Sequence, residues 1–538
     1  MSGGRRWWPA GITVLSAIIV VIVASRTDQG FYSDPASQAK AVQQFLRGES
    51  PRPVQWIHPD DADLSRDARE ALIWWAPGTA FAVLPLMRAG LTPAQAARAI
   101  AAAALIAGAV GWIYWLQRFG LPGAATLAFA LVLPWMRSAS NNLFLYAPEI
   151  LAFAAVPWVL LSALAADERR HTRSWPFWCV LTGALAGGLY LVKYSACFVT
   201  AGVLAWFAWR SWRDDGPLAG RAGRLVTVGI CTAVPVVALS MFNRSVGGSA
   251  NMVTAAFHVT WHWDSLLYAI ANPALAAADL NALLAFVLMH PVHGVTQNPV
   301  WLAVIGLPGG LVLCALLARR RVTTAAADLA RFVFVASVVS ILVVWTVSSA
   351  VSVEARHLAS AGLAALPLAV VEGCAWWRES GAAVRRGLAL ILAVFVIGPF
   401  GYGVVSVFAK AWRYPSDYLP GPSGYNVLLA EHDAVGVARR LQDTFVQQTD
   451  IWYLTEPMTS LDLTGRAVVR HADFMLLDEL RRDRFVTSRP LRVHVLLPPR
   501  FEQNGKGLAI RESFPQALAW RRESVPGSAY DQWIAELR

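Results

Sequence analysis

The sequence predicts a polytopic α-helical membrane protein of about eleven spans with a small α/β domain at its C-terminus. Three observations predict it. The 538 residues are 56% hydrophobic and 15% charged, with a mean hydropathy of +0.45, whereas soluble chains carry about 25% charge. Apolar runs recur along residues 8–408, and a bilayer is crossed by about 20 apolar residues. Beyond residue 408 the pattern becomes polar, with short apolar stretches alternating with helix-like ones.

The runs fall at 8–25, 96–116, 121–137, 146–166, 176–192, 196–212, 225–243, 299–318, 330–351, 358–376 and 387–408, which makes eleven. A further run, 71–87, is short and contains Pro77 and Pro85, residues that remove helix hydrogen bonds. It either spans or lies in the interface as a broken amphipathic segment. Charge decides between these. If 71–87 does not span and the N-terminus is cytoplasmic, seventeen basic residues fall in short inner segments: Arg5, Arg6, Arg118, Arg169, Arg170, Arg173, Arg210, Arg213, Arg221, Arg224, Arg319, Arg320, Arg321, Arg331, Arg378, Arg385 and Arg386. Four (Arg137, Lys193, Arg244 and Arg356) fall outside. Spanning at 71–87 would invert everything downstream, so the excess of inner positive charge selects the first topology.

The N-terminal stretch from Arg5 to Ser25 has the basic, apolar and small residues of a signal peptide, but its long run reads as an uncleaved anchor. Three larger pieces then face outward: a first loop at 26–95, a loop at 244–298, and the tail at 409–538. In the tail, Ile451–Leu454, Ala467–Val469 and Val493–Leu497 read as strands, with helices near 433–443 and 475–482. The net charge of +11 is explained by membrane orientation, so nucleic acid is not an expected partner. The five cysteines lie inside apolar runs without a CxxC pair, which argues against disulfides and Cys-ligated metal.

The chemistry-bearing residues cluster at the expected outer ends of spans. Asp28 and Asp34 follow the first span closely. A carboxylate held there has the chemistry of a general base toward a hydroxyl acceptor, although Ser33-Asp34-Pro35 is also a good helix start. Glu149 opens an apolar run after Tyr146-Ala-Pro. Lys193 and Arg356 end or begin runs on the same side, where a cation either snorkels to lipid headgroups or meets an anionic ligand. His258, His262, His290 and His293 have helical ligand spacings, but no carboxylate completes a metalloprotease pattern and HExxH is absent. In the tail, His471 and Asp473 read as turn residues, and there is no glycine-rich phosphate loop.

The order of these elements resembles the GT-C class of polytopic glycosyltransferases that use lipid-phosphate sugars, which includes protein O-mannosyltransferases and the aminoarabinose transferases of lipid A. Ser33-Asp34-Pro35-Ala36 followed by Gly48-Glu49-Ser50-Pro51 is similar to the class's first-loop pattern, with Gln38 in place of its tyrosine. Asp28 with Tyr32 is the competing alignment. Ala76-Pro77-Gly78 resembles its Pro-Pro-Gly segment. Ser138–Asn142 and Glu149 stand where its second loop carries an acid. Gly187 through Lys193-Tyr194-Ser195, and Arg356-His357 through Pro367-Leu368, match two later elements.

The resemblance covers residues 8–376 and implies an inverting transfer at the extracytoplasmic face of a bacterial-type inner membrane. The donor would be a sugar on a polyprenyl phosphate, and the acceptor a glycan, lipid or protein. Asp34 (or Asp28) would be the base and Glu149 would position acceptor or sugar. Lys193, Arg356, His357 and Tyr194 would hold the donor phosphate. The resemblance names no certain cofactor. A carboxylate-bound divalent cation occurs in one branch of the class, but only Glu149 is available in the second loop. A glycan polymerase or ligase with a diphosphate donor, a transporter or flippase, and a scaffold displaying the tail are the alternatives. The scaffold predicts that Asp34, Glu149, Lys193 and Arg356 do not meet.

Overall fold

The computed structural model describes residues 7–26, 33–48, 63–65, 76–247, 251, 265–277, 299–347, 355–392, 398–413, 424, 433–470, 472 and 475–538. Asp28, Tyr32, the four histidines of 258–293, His471 and Asp473 lie outside the described residues.

Most of the membrane-type runs fold as helices near their expected bounds. They include α1 (Trp8–Ser25), α4 (Pro93–Gln117), α7 (Glu149–Glu168), α8 (Trp175–Val192), α9 (Cys197–Trp212), α10 (Leu218–Gly247), α13 (Ala325–Val347) and α14 (Ala359–Glu379). All of these except α9 are long and apolar enough to cross a membrane, seven among the described residues. The remaining runs are broken for visible reasons. Run 121–137 gives α5 (Gly123–Val132), a 3-10 turn through Pro134, and α6 (Arg137–Phe144). Run 299–318 is helical throughout, with a π segment at Leu302–Gly306 leading into α12 (Leu307–Ala318). Run 387–408 falls across α15 (Ala382–Leu392) and α16 (Gly398–Arg413).

Two segments expected outside the bundle are built into it. Among the described residues of 71–87 the helix is α3 (Gly78–Arg88); Pro77 stands at its N-cap and Pro85 lies inside. In the loop 244–298, α11 (Ser265–Ala277) is an apolar helix interrupted by Pro273. Tyr268, Ala271 and Leu275 of α11 are buried with Leu302, Trp345 and Leu358. A helix of 13 residues is too short to be recognised as a span from hydropathy alone.

Small residues let the bundle close. A Cβ on Gly183 would come within 2.6 Å of Val228 O, and one on Gly187 within 2.5 Å of Thr232 O. The Gly183-xxx-Gly187 face of α8 therefore meets α10 backbone to backbone, as membrane helices do where small residues line a contact. Buried Trp112, Trp115 and Trp206 fill the wider gaps, and Trp112 and Trp115 donate their indole N–H to carbonyls of neighbouring helices.

The tail is an α/β domain. Its mixed sheet has the order β2-β1-β3-β5-β4. The strands are β1 (Asp450–Leu454), β2 (Ala467–Val469), β3 (Leu491–Leu497), β4 (Arg521–Glu523) and β5 (Asp531–Leu537). The pairs β1/β2 and β1/β3 are parallel, while β3/β5 and β4/β5 are antiparallel. Both faces are covered: one by α17 (Ala434–Asp443) through Val437 and Leu441, the other by Leu480, Phe501 and Ile510. The first loop is stitched into this second core. Leu64 is fully buried there, its N–H donates to Val486 O at 2.7 Å, and Asp63 bridges Val486. The first loop and the tail are thus on the same side of the bundle.

Candidate active site

Four of the sequence-selected residues meet at the end of the bundle that carries the C-terminal domain. Glu149 is the first residue of α7, where a carboxylate complements the helix dipole. It is buried. It is delivered by a tight turn in which Tyr146 adopts φ +50°, a left-handed conformation that side chains rarely take. Lys193 caps the C-terminal end of α8 in an extended conformation, which turns its side chain away from the helix it ends. Its ammonium forms a salt bridge with Glu149 Oε1. Arg356, in the 3-10 turn that precedes α14, places Nη1 at 3.4 Å from the same oxygen.

His357 is next to this triad. Lys193, Arg356 and Glu149 all act on it electrostatically, and neither ring nitrogen has a hydrogen-bond partner among the described residues. The same holds for Glu149 Oε2. Asp34 lies in the first turn of α2 (Ser33–Leu46), within electrostatic reach of the Lys193 ammonium. The cluster therefore sets the Glu149 carboxylate against two cations, with Asp34 in electrostatic reach of one of them and the half-buried His357 beside them. Desolvating an unpaired charge costs several kcal/mol, so only this mutual pairing makes the burial tolerable. The side chains of Lys193 and Arg356 remain 15% and 33% exposed. An ammonium carries three N–H donors and a guanidinium five. The arrangement can accept a proton at a carboxylate and hold an anion at two cations.

Tyr194 is placed differently. Its ring lies 4.9 Å from that of Tyr190, and its hydroxyl accepts from Asn243 Nδ2 of α10 at 3.2 Å. It lines the α8–α10 side, next to the triad in sequence. Among the described residues no group of three or more His, Cys, Asp or Glu side chains is placed to hold a metal ion.

Sequence reasoning passed over several residues that hold the site. Arg98 of α4 donates through Nε to the Tyr146 hydroxyl at 2.8 Å. Gln38 Oε1 accepts from Ala80 N at 2.9 Å, tying α2 to the start of α3. Gly78 meets Leu191 O at 2.7 Å from a notional Cβ, so α3 begins directly against the residues that precede Lys193. The glycine of the Ala76-Pro77-Gly78 motif is required by that close approach, which its sequence context signalled without explaining.

The fold defined by these elements is a polytopic helical bundle with first-loop helices and an α/β domain at one end. The chain aligns with the crystal structure of ArnT from Cupriavidus metallidurans in the apo state, a lipid A aminoarabinose transferase, with a TM-score of 0.51. The alignment covers 99% of this chain and 98% of that one, at 13% sequence identity. No family description matches the sequence, and no curated protein is detectably similar to it.

Proposed function

We propose that this chain is a membrane glycosyltransferase that moves a sugar from a polyprenyl-phosphate donor to a hydroxyl acceptor at the extracytoplasmic face of the inner membrane. The observation that carries the reading is the Glu149–Lys193–Arg356 cluster at one end of a GT-C-like bundle, with Asp34 in electrostatic reach of Lys193. The C-terminal domain lies on that side, extracytoplasmic in the topology that basic-residue placement selects.

In this mechanism the donor phosphate seats against Lys193 and Arg356, while its prenyl chain stays in lipid. Glu149 holds the two cations side by side and keeps Oε2 for a donor hydroxyl. The acceptor oxygen attacks the anomeric carbon from the face opposite the phosphate. The bond from that carbon to the phosphate oxygen breaks, and the electron pair leaves with polyprenyl phosphate. Asp34 takes the acceptor proton. One displacement of this kind inverts the anomeric configuration. Fixed cations at the developing phosphate charge lower the barrier because they need no reorganisation during the step. His357 lies beside the cations and has two ring nitrogens available to sugar or phosphate oxygens.

The test uses the full-length protein in lipid nanodiscs with a panel of polyprenyl-phosphate sugars, and measures release of free polyprenyl phosphate. Asp34→Asn is expected to abolish turnover at unchanged expression and melting temperature. An active Asp34→Asn beside an inactive Asp28→Asn would assign the base to Asp28. Turnover that survives both changes would refute the mechanism. A periplasm-only reporter fused after Arg413 should be active, and a silent one would overturn the orientation.

A further inference from the structure

The helix that bears Asp34 is fastened to the C-terminal domain at its far end. Lys40 is buried, and its Nζ donates to Ser460 O and to Leu463 O, the latter at 2.9 Å. These carbonyls belong to the end of α18 (Thr459–Asp462) and the residue after it, where helix carbonyls lack intrahelical partners. Gln43 Nε2 adds a bond to Leu461 O at 3.2 Å. Between these bonds, Ala36 and Ala39 of α2 and Ala94 and Ala97 of α4 close on Leu461, with Tyr146 packed on the same cluster.

One patch of the C-terminal domain therefore touches both deliveries to the site. Through Lys40 it reaches α2, whose first turn holds Asp34. Through the apolar cluster that Leu461 joins it reaches Tyr146, whose turn leads to Glu149. A buried ammonium on backbone carbonyls is costly to assemble and difficult to replace, and a simple packing contact would not need it. Lys40 is one of only four lysines among 46 basic residues.

We propose that Lys40 is a positioning residue. By clamping α2 to the Ser460–Leu463 edge it sets Asp34 against the Lys193–Arg356 pair, which makes the C-terminal domain a working part of the active centre. The kinetic half of this inference rests on the proposed transferase reading; the structural half does not.

The test compares Lys40→Met and Lys40→Arg in the full-length protein in nanodiscs. Amide hydrogen exchange over residues 33–46 should rise about tenfold or more in Lys40→Met, with residues 434–443 unchanged. Lys40→Arg, which keeps donors to both carbonyls, should restore most of the protection. Affinity for added polyprenyl phosphate should stay within about twofold, while the transfer rate falls about tenfold at saturating donor. Unchanged exchange over 33–46, or exchange raised equally through the C-terminal domain, would overturn the clamp. If Lys40→Met does not accumulate, Gln43→Ala removes only the weaker bond and should show the same localised pattern at about threefold; a protected α2 there would overturn it too. A wild-type protein that turns over no lipid-phosphate sugar, yet shows the localised exchange response, would fault the transferase reading and leave the clamp standing.

Discussion

The two ends of α7 carry two ionic clusters that differ in one respect. At its start, Glu149 pairs with Lys193 and Arg356 and keeps Oε2 unpartnered, beside a His357 ring whose two nitrogens are also unpartnered among the described residues. At its other end, about 27 Å away along the helix, Asp167 receives two bonds from Arg210 at 2.7 and 3.2 Å, and Arg170 lies 3.5 Å away. Asp214 is closed by Arg224 and approached by Arg170 at 3.6 Å. Nearby, Glu372 Oε1 accepts from Val322 N and from Arg331 while its Oε2 has no partner among the described residues, and Arg319 pairs with Glu379. At the second end Asp167 and Asp214 are held by planar guanidinium groups that join neighbouring helices. The first end retains polar capacity. Neither buried charge nor one unpartnered carboxylate oxygen therefore marks a site; the first end differs in setting Glu149 Oε2, two cations and an imidazole with two unpartnered nitrogens side by side.

The comparison can be broken by substitutions at each end. The largest expected effect is Asp34→Asn, which should lower the transfer rate about 1000-fold or more, within the range for loss of a general base. Lys193→Met should lower transfer about 100-fold by removing a charge-assisted contact to the leaving phosphate. Asp167→Ala should behave oppositely. It leaves Arg210 without its bidentate partner, so the melting temperature should fall by several degrees, for a loss of about 2–3 kcal/mol. The transfer rate of the folded fraction should be unchanged. A collapse of transfer in Asp167→Ala at unaltered stability would erase the distinction between the two ends.

A smaller effect is expected in the C-terminal domain, where His494 and Asp450 are fully buried together. Burial pushes the His494 imidazole below its ordinary value of 6.5, against the opposing pull of Asp450, with Arg492 and Glu523 also in reach. Burial alone would raise the Asp450 carboxyl. Bonds from Arg492, Val446 N, Thr449 and His494 outweigh it and hold the group below 3.8. Both groups bind protons more readily when unfolded, so both stabilise the domain fully above their ordinary values. His494's contribution is lost as pH falls below 6.5, and Asp450's below 3.8. Melting followed from pH 7.5 to 5 should show the domain weakening as the pH passes below 6.5. His494→Gln should flatten that slope.

The fold was legible wherever one physical signal dominated. Long apolar runs gave α1, α4, α7, α8 and α14 nearly to the residue, and the tail strands at 451–454, 467–469 and 493–497 fall within β1, β2 and β3. Alternation and hydropathy failed where proline divides an element or where a short helix is buried by others, as in α5 and α11. At the site, the residue types and their shared side were legible, because charges at span ends are few. Their partners were not. Nothing in the sequence indicates that Glu149 takes both Lys193 and Arg356, that Tyr194 turns toward Asn243, or that Lys40 reaches across to Ser460. Those contacts depend on how helices far apart in the chain pack together.

The proposed transfer requires the Glu149–Lys193–Arg356 end of the bundle to receive a lipid-borne phosphate. The direct measurement is polyprenyl phosphate titrated into the full-length protein in nanodiscs and followed by native mass spectrometry. Saturable binding is predicted, weakened about 100-fold or more in the Lys193→Met/Arg356→Met double variant and unaltered in Asp167→Ala. Equal binding by the double variant and the unmodified protein would contradict the account.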